Sequence, residues 1–199
     1  FNTRAFGLIA GRDALGFLGD INRNDPMGER DLLVDDFKNY GIESRILHRY
    51  QLFNKSNIAL FGARYYSGFT DRKQGNGSAN SDADFNYLRP NNLEHSDYDF
   101  PSQNLALFSE NIFYINEKWT VTPGVRFEYI NTTSEGYYKV RSVDLSGNVL
   151  FEDNIEDNRA KSRSFLLGGI GLSYKPKDNL EYYANFSQNY RSINFNDMR

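Results

Sequence analysis

A strict alternation of apolar and polar residues in the window 119–131 constrains the fold of this chain more than any other feature. Polar side chains such as Arg126 and Glu128 occupy one parity of the window. The other parity is apolar and consists of Trp119, Val121, Pro123, Val125, Phe127 and Tyr129. Because successive side chains of a β-strand point to opposite faces, this window predicts a strand with one apolar and one polar face.

The same period of two returns elsewhere in the chain, most clearly in 42–53 and 180–191. In 105–115 the two faces stay unassigned, because Glu110 has the same parity as Phe108. These runs are longer than the average strand of a soluble protein, which has five or six residues. Strands are predicted at 1–19, 42–53, 57–71, 105–115, 119–131, 161–175 and 180–191.

Short and long connections alternate between the predicted strands. The short ones are 54–56, 116–118 and 176–179, and the long ones are 20–41, 72–104 and 132–160. Long structureless loops are uncommon in compact soluble domains, whereas a transmembrane β-barrel has short turns at one end and long loops at the other.

Aromatic residues gather beside the short turns, where a barrel has an interfacial girdle. They are Tyr50, Phe53, Phe113, Tyr114, Trp119, Tyr174, Tyr182 and Tyr183. The sequence therefore predicts an all-β fold, an antiparallel up-and-down transmembrane β-barrel segment of about seven strands. Long loops lie on one side of this segment and short turns on the other.

Composition removes several other classes of protein. The 199 residues include no Cys and two His, which excludes a disulfide scaffold, a thiolate zinc site and a His-rich metal site. Lys and Arg number 23 against 26 Asp and Glu, which is not the balance of a nucleic-acid-binding protein. The longest apolar stretch, 165–172, is far shorter than the about 20 residues of a membrane helix. No nucleophile and base are arranged for catalysis, so we expect no enzyme.

Several stretches resemble the barrel of TonB-dependent outer-membrane receptors, in particular the ferric-dicitrate or siderophore type. The stretches 107–131 and 180–199 carry most of the resemblance, and 6–20 and 38–52 are also similar. The resemblance implies a barrel of about 22 strands. Residues 1–199 are then expected to be a partial receptor β-barrel domain, an internal fragment from which the plug domain and the TonB box are absent.

The resemblance also implies a function in the outer membrane of a Gram-negative bacterium. The parent protein is expected to import a ferric chelate, iron-dicitrate or a siderophore, by TonB-energised transport. Its expected partners are that chelate, outer-membrane lipid and lipopolysaccharide, and the TonB complex through the missing N-terminal part. No resident cofactor is expected, since iron enters as part of the substrate.

Four residues are candidates for ligand binding, because they lie on the polar parities that would face the lumen. Arginine offers two parallel donors to a carboxylate, so cations here would attract an anionic chelate. The simpler interpretation is that they are wall residues paired with acidic side chains, since barrel lumens are generally polar. The candidates are Arg64, Tyr66, Arg126 and Arg191.

Two further groups of polar residues have simpler interpretations. Asp82, Asp84, Asp97 and Asp99 supply oxygens of the kind that bind Ca²⁺, but a solvated loop accounts for them equally well. His48 has no acidic partner at a useful spacing, which favours a structural role.

Two alternative functions remain open at this point. The first is a non-transporting outer-membrane surface protein or adhesin that uses the loops of the same barrel for binding. The second is a soluble β-sandwich in which exposed Tyr and Trp rings stack on glycans.

Overall fold

The structure, a computed structural model, describes residues 1–17, 22, 24–25, 27–79 and 84–190. Within these ranges no helix is long and apolar enough to cross a membrane. All the regular structure there is extended. The strands are β1 (Asn2–Gly16), β2 (Arg30–Leu52), β3 (Lys55–Gly77), β4 (Ser96–Tyr114), β5 (Trp119–Val143), β6 (Val149–Glu156), β7 (Arg159–Lys177) and β8 (Leu180–Ser187).

The strands form one antiparallel sheet with an up-and-down topology. Its order is β1-β2-β3-β4-β5-β7-β8, and β6 pairs with β5 away from this path. The all-β, up-and-down prediction is confirmed. The β-sandwich alternative is wrong, because the described strands make a single sheet rather than two packed ones.

Five of the predicted boundaries are wrong because the strands run further toward the long loops than the apolar–polar alternation does. The predicted strand 180–191 is wrong in the opposite direction, since β8 ends at Ser187. β2 begins at Arg30 and β3 ends at Gly77, so each has 23 residues. β4 begins at Ser96, β5 ends at Val143 and β7 begins at Arg159. In these extensions both faces carry polar residues, which removes the contrast that a period of two needs.

The two faces of the sheet differ in chemistry as the window 119–131 predicts. On β5, Val125, Phe127 and Tyr129 are 44%, 39% and 41% exposed and lie on one face. The same face of the neighbouring strands presents the exposed apolar side chains Ile42, Ile46, Phe61, Tyr65, Leu105, Leu107, Leu166 and Ile170. The opposite face encloses a cavity that five strands line together, so it is the concave face. The apolar face is therefore convex.

The three short turns lie where the sequence predicts them. Residues 53 and 54 connect β2 to β3, and both Phe53 and Asn54 have positive φ, 51° and 57°. Two central residues of this kind make the type I′ turn that suits a two-residue hairpin. In the turn before β5, the side-chain oxygen of Asn116 accepts hydrogen bonds from the backbone N–H groups of Lys118 and Trp119.

An aromatic row crosses three strands at the short-turn end. Trp119, Tyr174 and Tyr182 stand opposite one another on β5, β7 and β8. The ring centroids of Trp119 and Tyr174 are 4.4 Å apart, and those of Tyr174 and Tyr182 are 6.5 Å apart. Three of the aromatic residues predicted to gather at this end therefore form a stack on the convex face.

The predicted loop 132–160 contains an additional hairpin. Residues 137–143 of β5 pair with β6 instead of β7, and this pairing makes β6 an eighth strand that the sequence did not predict. Asp144 closes the hairpin by accepting hydrogen bonds from the backbone N–H groups of Ser146 and Asn148. The Asn148 side chain, together with these N–H groups, holds the pKa of Asp144 below its usual value.

A buried ion-pair network joins the first three strands on the concave side. Arg12, Asp35 and Arg72 stand directly opposite one another on β1, β2 and β3. Asp35 is fully buried and Arg72 is only 5% exposed. Arg72 donates to the two carboxylate oxygens of Asp35 from Nε at 2.6 Å and from Nη2 at 3.1 Å. Arg12 also donates to Asp35.

Replacing Asp35 is expected to destabilise the protein strongly. In Asp35→Asn the buried guanidinium of Arg72 loses this carboxylate, so the free energy of unfolding should fall by about 3 kcal/mol. Urea unfolding of the full-length protein, followed by circular dichroism, measures this change. Asp36→Asn is the matched control, because Asp36 is exposed on the opposite face. Equal stability of the two variants would contradict a structural role for the network.

Candidate binding cavity on the concave face

The concave face holds a cavity of about 510 Å³. Residues of β2, β3, β4, β5 and β7 line it, together with Tyr190, which follows β8. Among the lining side chains are Arg64 and Tyr66, which share a face because they are two residues apart on β3. Arg126 on β5 also lines the cavity. Three of the four predicted binding residues therefore line a single cavity, and Arg191 lies outside the described residues.

The guanidinium group of Arg64 is held over an aromatic ring. Its Cζ atom lies 5.1 Å from the centroid of Phe6 on β1. A Cβ atom at Gly41 would be 2.4 Å from the ring of Phe6, so the absence of a side chain at Gly41 gives the ring its place. Such cation–π contacts fix the position of an arginine without neutralising its charge.

A second aromatic ring lies between two other arginines of the concave face. The Phe108 ring on β4 packs on Gly62, where an added Cβ would be 2.2 Å away. The Cζ atoms of Arg45 and Arg126 are 5.7 Å and 5.2 Å from the centroid of this ring. This packing settles the faces of β4, because Phe108 and Glu110 both lie on the concave side.

Two carboxylates pair with three arginines of the concave face. Glu43 is 4% exposed, and its Oε1 atom lies 2.9 Å from Arg4 and 2.7 Å from Arg45. Arg126 pairs with Glu128. For Arg126, the simpler interpretation as a paired wall residue therefore holds.

Arg64 differs from these arginines because no carboxylate of the described residues pairs with it. Its Nε atom is buried and has no hydrogen-bond partner in the described part of the chain. A buried donor without a partner costs about 1–3 kcal/mol, so an acceptor that entered the cavity would gain by pairing with it. Arg64 is accordingly the candidate anion-binding group of the cavity.

Sequence reasoning missed other residues of the cavity, among them Asn39, Ser102 and Asn104. Asn104 donates to Glu128, which helps to fix this carboxylate beside Arg126. Parity places Asn104 on one face or the other but does not give the register between strands, which brings it opposite Tyr66. A pairing prediction would have been the signal needed to find these residues.

The remaining candidates of the sequence lie away from the cavity. Asp97 and Asp99 are residues of β4, not of a loop, and Asp82 lies outside the described residues. Within the described ranges no three His, Asp or Glu side chains are placed to hold a metal ion. His48 stacks with Tyr50, with ring centroids 6.2 Å apart, which agrees with a structural role.

Comparison with known proteins identifies the class. The sequence matches the family "TonB dependent receptor-like, beta-barrel" over residues 3–199, and the chain therefore belongs to that family. No curated protein matches it significantly.

The solved structures that are similar to the chain include the following two. The unliganded ferric citrate transporter FecA superposes with a TM-score of 0.69 at 17% identity, over 98% of this chain and 26% of FecA. The ferric yersiniabactin uptake receptor FyuA from Yersinia pestis gives a TM-score of 0.48 at 14% identity, over 79% of this chain and 23% of FyuA. The chain thus spans about a quarter of the length of these receptors. The fit to FecA supports the fold as part of a receptor barrel.

The packing of Phe108 on Gly62 gives a test of the cavity wall. Gly62→Ala places a methyl group where the ring lies, so the ring must move from between Arg45 and Arg126. Overpacking of this kind costs about 1–3 kcal/mol, which urea unfolding of the full-length protein measures.

The control for this test is Gly171→Ala, also on the concave face. An added Cβ at Gly171 would be 3.6 Å from its nearest neighbour, an ordinary contact. The control should have the same free energy of unfolding as the wild type. If Gly62→Ala also has the wild-type free energy of unfolding, the position of the Phe108 ring does not depend on the glycine.

Proposed function

We propose that this chain is part of an outer-membrane receptor that imports a ferric chelate by TonB-energised transport. Membership of the receptor family supports the proposal, and the fold of the described residues agrees with it. The observation that supports an anionic substrate is the cavity on the concave face, which contains Arg64, an arginine with no carboxylate partner among the described residues. The proposed role is binding and transport, without a catalytic step.

The convex face supports a location in a lipid bilayer. On β5 its apolar residues extend from Trp119 to Tyr129, a span of 11 residues, and a membrane-crossing strand tilted by about 45° needs about 9–11 residues. The next convex position toward the long loops, Asn131, is polar and its side chain hydrogen-bonds to Ser162 at 2.8 Å. The apolar band on β5 therefore has the length that a tilted strand needs to cross the hydrocarbon core of a bilayer.

The charge of the concave face supports an anionic substrate. Among the side chains that line the cavity, two arginines, Arg64 and Arg126, face one glutamate, Glu128. The lining therefore has a surplus of one positive charge, and guanidinium groups suit the carboxylate or other oxyanion groups of an iron chelate. The chain as a whole has a formal charge of −3, so the positive charge is local to this face.

The partners in this proposal are the ferric chelate, the lipid and lipopolysaccharide of the outer membrane, and the TonB complex. Contact with TonB is assigned to a part of the receptor outside these 199 residues.

Uptake of radioactive iron tests the proposed function. Cells that lack their own ferric-chelate receptors, and that express the full-length receptor, are supplied with ⁵⁵Fe as ferric citrate or as a ferric hydroxamate under iron limitation. We expect uptake from at least one chelate and its loss when TonB is inactivated, because transport is driven through TonB. The amount of receptor in the outer membrane, measured by immunoblot, is the control. Uptake from neither chelate at normal receptor levels would contradict the proposal.

A further inference from the structure

Three polar side-chain tips converge over Gly68 in the middle of the cavity wall. Asn39 on β2 and Ser102 on β4 stand directly opposite Gly68, on its two sides. A Cβ atom at position 68 would lie 2.8 Å from Ser102 Oγ, 2.9 Å from Asn39 Oδ1 and 2.9 Å from the hydroxyl of Tyr66. Any side chain larger than hydrogen would push these tips apart, so the convergence depends on glycine. We call these three tips over Gly68 the polar cradle.

The groups of the polar cradle have unused hydrogen-bonding capacity. Neither the Tyr66 hydroxyl nor the Asn39 side chain hydrogen-bonds to another side chain or backbone group of the described residues. Ser102 Oγ donates a long hydrogen bond of 3.4 Å to the carbonyl oxygen of Gly68. Tyrosine and serine hydroxyls both donate, and rotation of the Asn39 amide about its last bond presents its NH₂ group instead of its oxygen. The cradle therefore offers three donors to one ligand group.

Arg64 supplies the charge that these neutral donors lack. It lies two residues from Tyr66 on the same face of β3 and lines the same cavity. Its guanidinium group rests on Phe6, and its buried Nε has no hydrogen-bond partner in the described part of the chain. One cation and three neutral donors fit a planar group with one negative charge and two oxygens, because a carboxylate accepts up to about four hydrogen bonds.

We propose that the polar cradle and Arg64 together bind one carboxylate group of the imported chelate. The inference rests on the proposed function, and it adds to that function a place on the barrel wall and a chemical class for the group recognised there. Arg126 is not part of this site, because it is paired with Glu128, which also accepts a hydrogen bond from Asn104.

Direct titration of the intact, purified receptor in detergent tests this site. The probes are ferric citrate, iron-free citrate and a ferric hydroxamate without carboxylates, and calorimetry measures each dissociation constant. Gly68→Ala fills the cradle, Arg64→Gln removes the charge, and Tyr66→Phe removes one hydroxyl with little change of shape. Gly171→Ala on the same face is the control, because it adds its methyl group outside the cavity.

The site predicts a specific pattern of affinities. Gly68→Ala and Arg64→Gln should weaken ferric citrate and iron-free citrate binding at least tenfold, and Tyr66→Phe several-fold. The control should bind like the wild type. Each variant should unfold at the same temperature as the control, which shows that lost affinity does not arise from lost folding. If Gly68→Ala is unstable, Tyr66→Phe still tests the site.

Two results would overturn the site and leave the proposed function standing. The first is wild-type affinity for ferric citrate in Gly68→Ala, Arg64→Gln and Tyr66→Phe. The second is a wild-type receptor that binds the hydroxamate chelate but neither citrate probe. Failure of the proposed function gives a different result, since the receptor would then support no TonB-dependent iron uptake from any chelate.

Discussion

The register of the backbone ladders is the constraint on which every other feature of this sheet depends. Neighbouring strands pair residue against residue over long stretches, for example across all 23 positions of β2 and β3. Since side chains alternate between faces, a slip of one residue would exchange the apolar and polar sets completely. With the observed register, the convex face forms a continuous apolar band and the concave face collects the charged residues.

Glycines determine how the concave face is filled. Gly41 and Gly62 each receive an aromatic ring from the neighbouring strand, and arginines rest on both rings. Gly68 receives polar tips instead of a ring. The absence of a Cβ atom thus has two effects on this face. At Gly41 it makes room for the ring on which Arg64 rests, and at Gly68 it makes room for the hydrogen-bond donors of the polar cradle.

Local sequence predicted the strands, the short turns and the faces of 119–131, because the apolar band of the convex face produces a strong contrast between apolar and polar positions. Strand length was not predictable in this way, since segments such as 72–77 and 96–104 carry polar residues on both faces. Residues 132–160 were interpreted as one long loop, so the hairpin with β6 was missed. Parity alone placed Arg64 and Tyr66 on the polar face that carries the cavity, whereas Ser102 comes close to them only through pairing between β3 and β4, which are far apart in sequence.

Spin-label accessibility along β5 tests the central claim that the sheet is a barrel wall with lipid on its convex face. The chain has no Cys, so single cysteines are introduced at each position from 119 to 131 in the receptor reconstituted in bilayers. Collision rates of the attached nitroxides with lipid-soluble oxygen are then measured. The structure predicts a period of two with maxima at odd positions, including Val125 and Phe127. A profile without this period, or with maxima at Arg126 and Glu128, would contradict it.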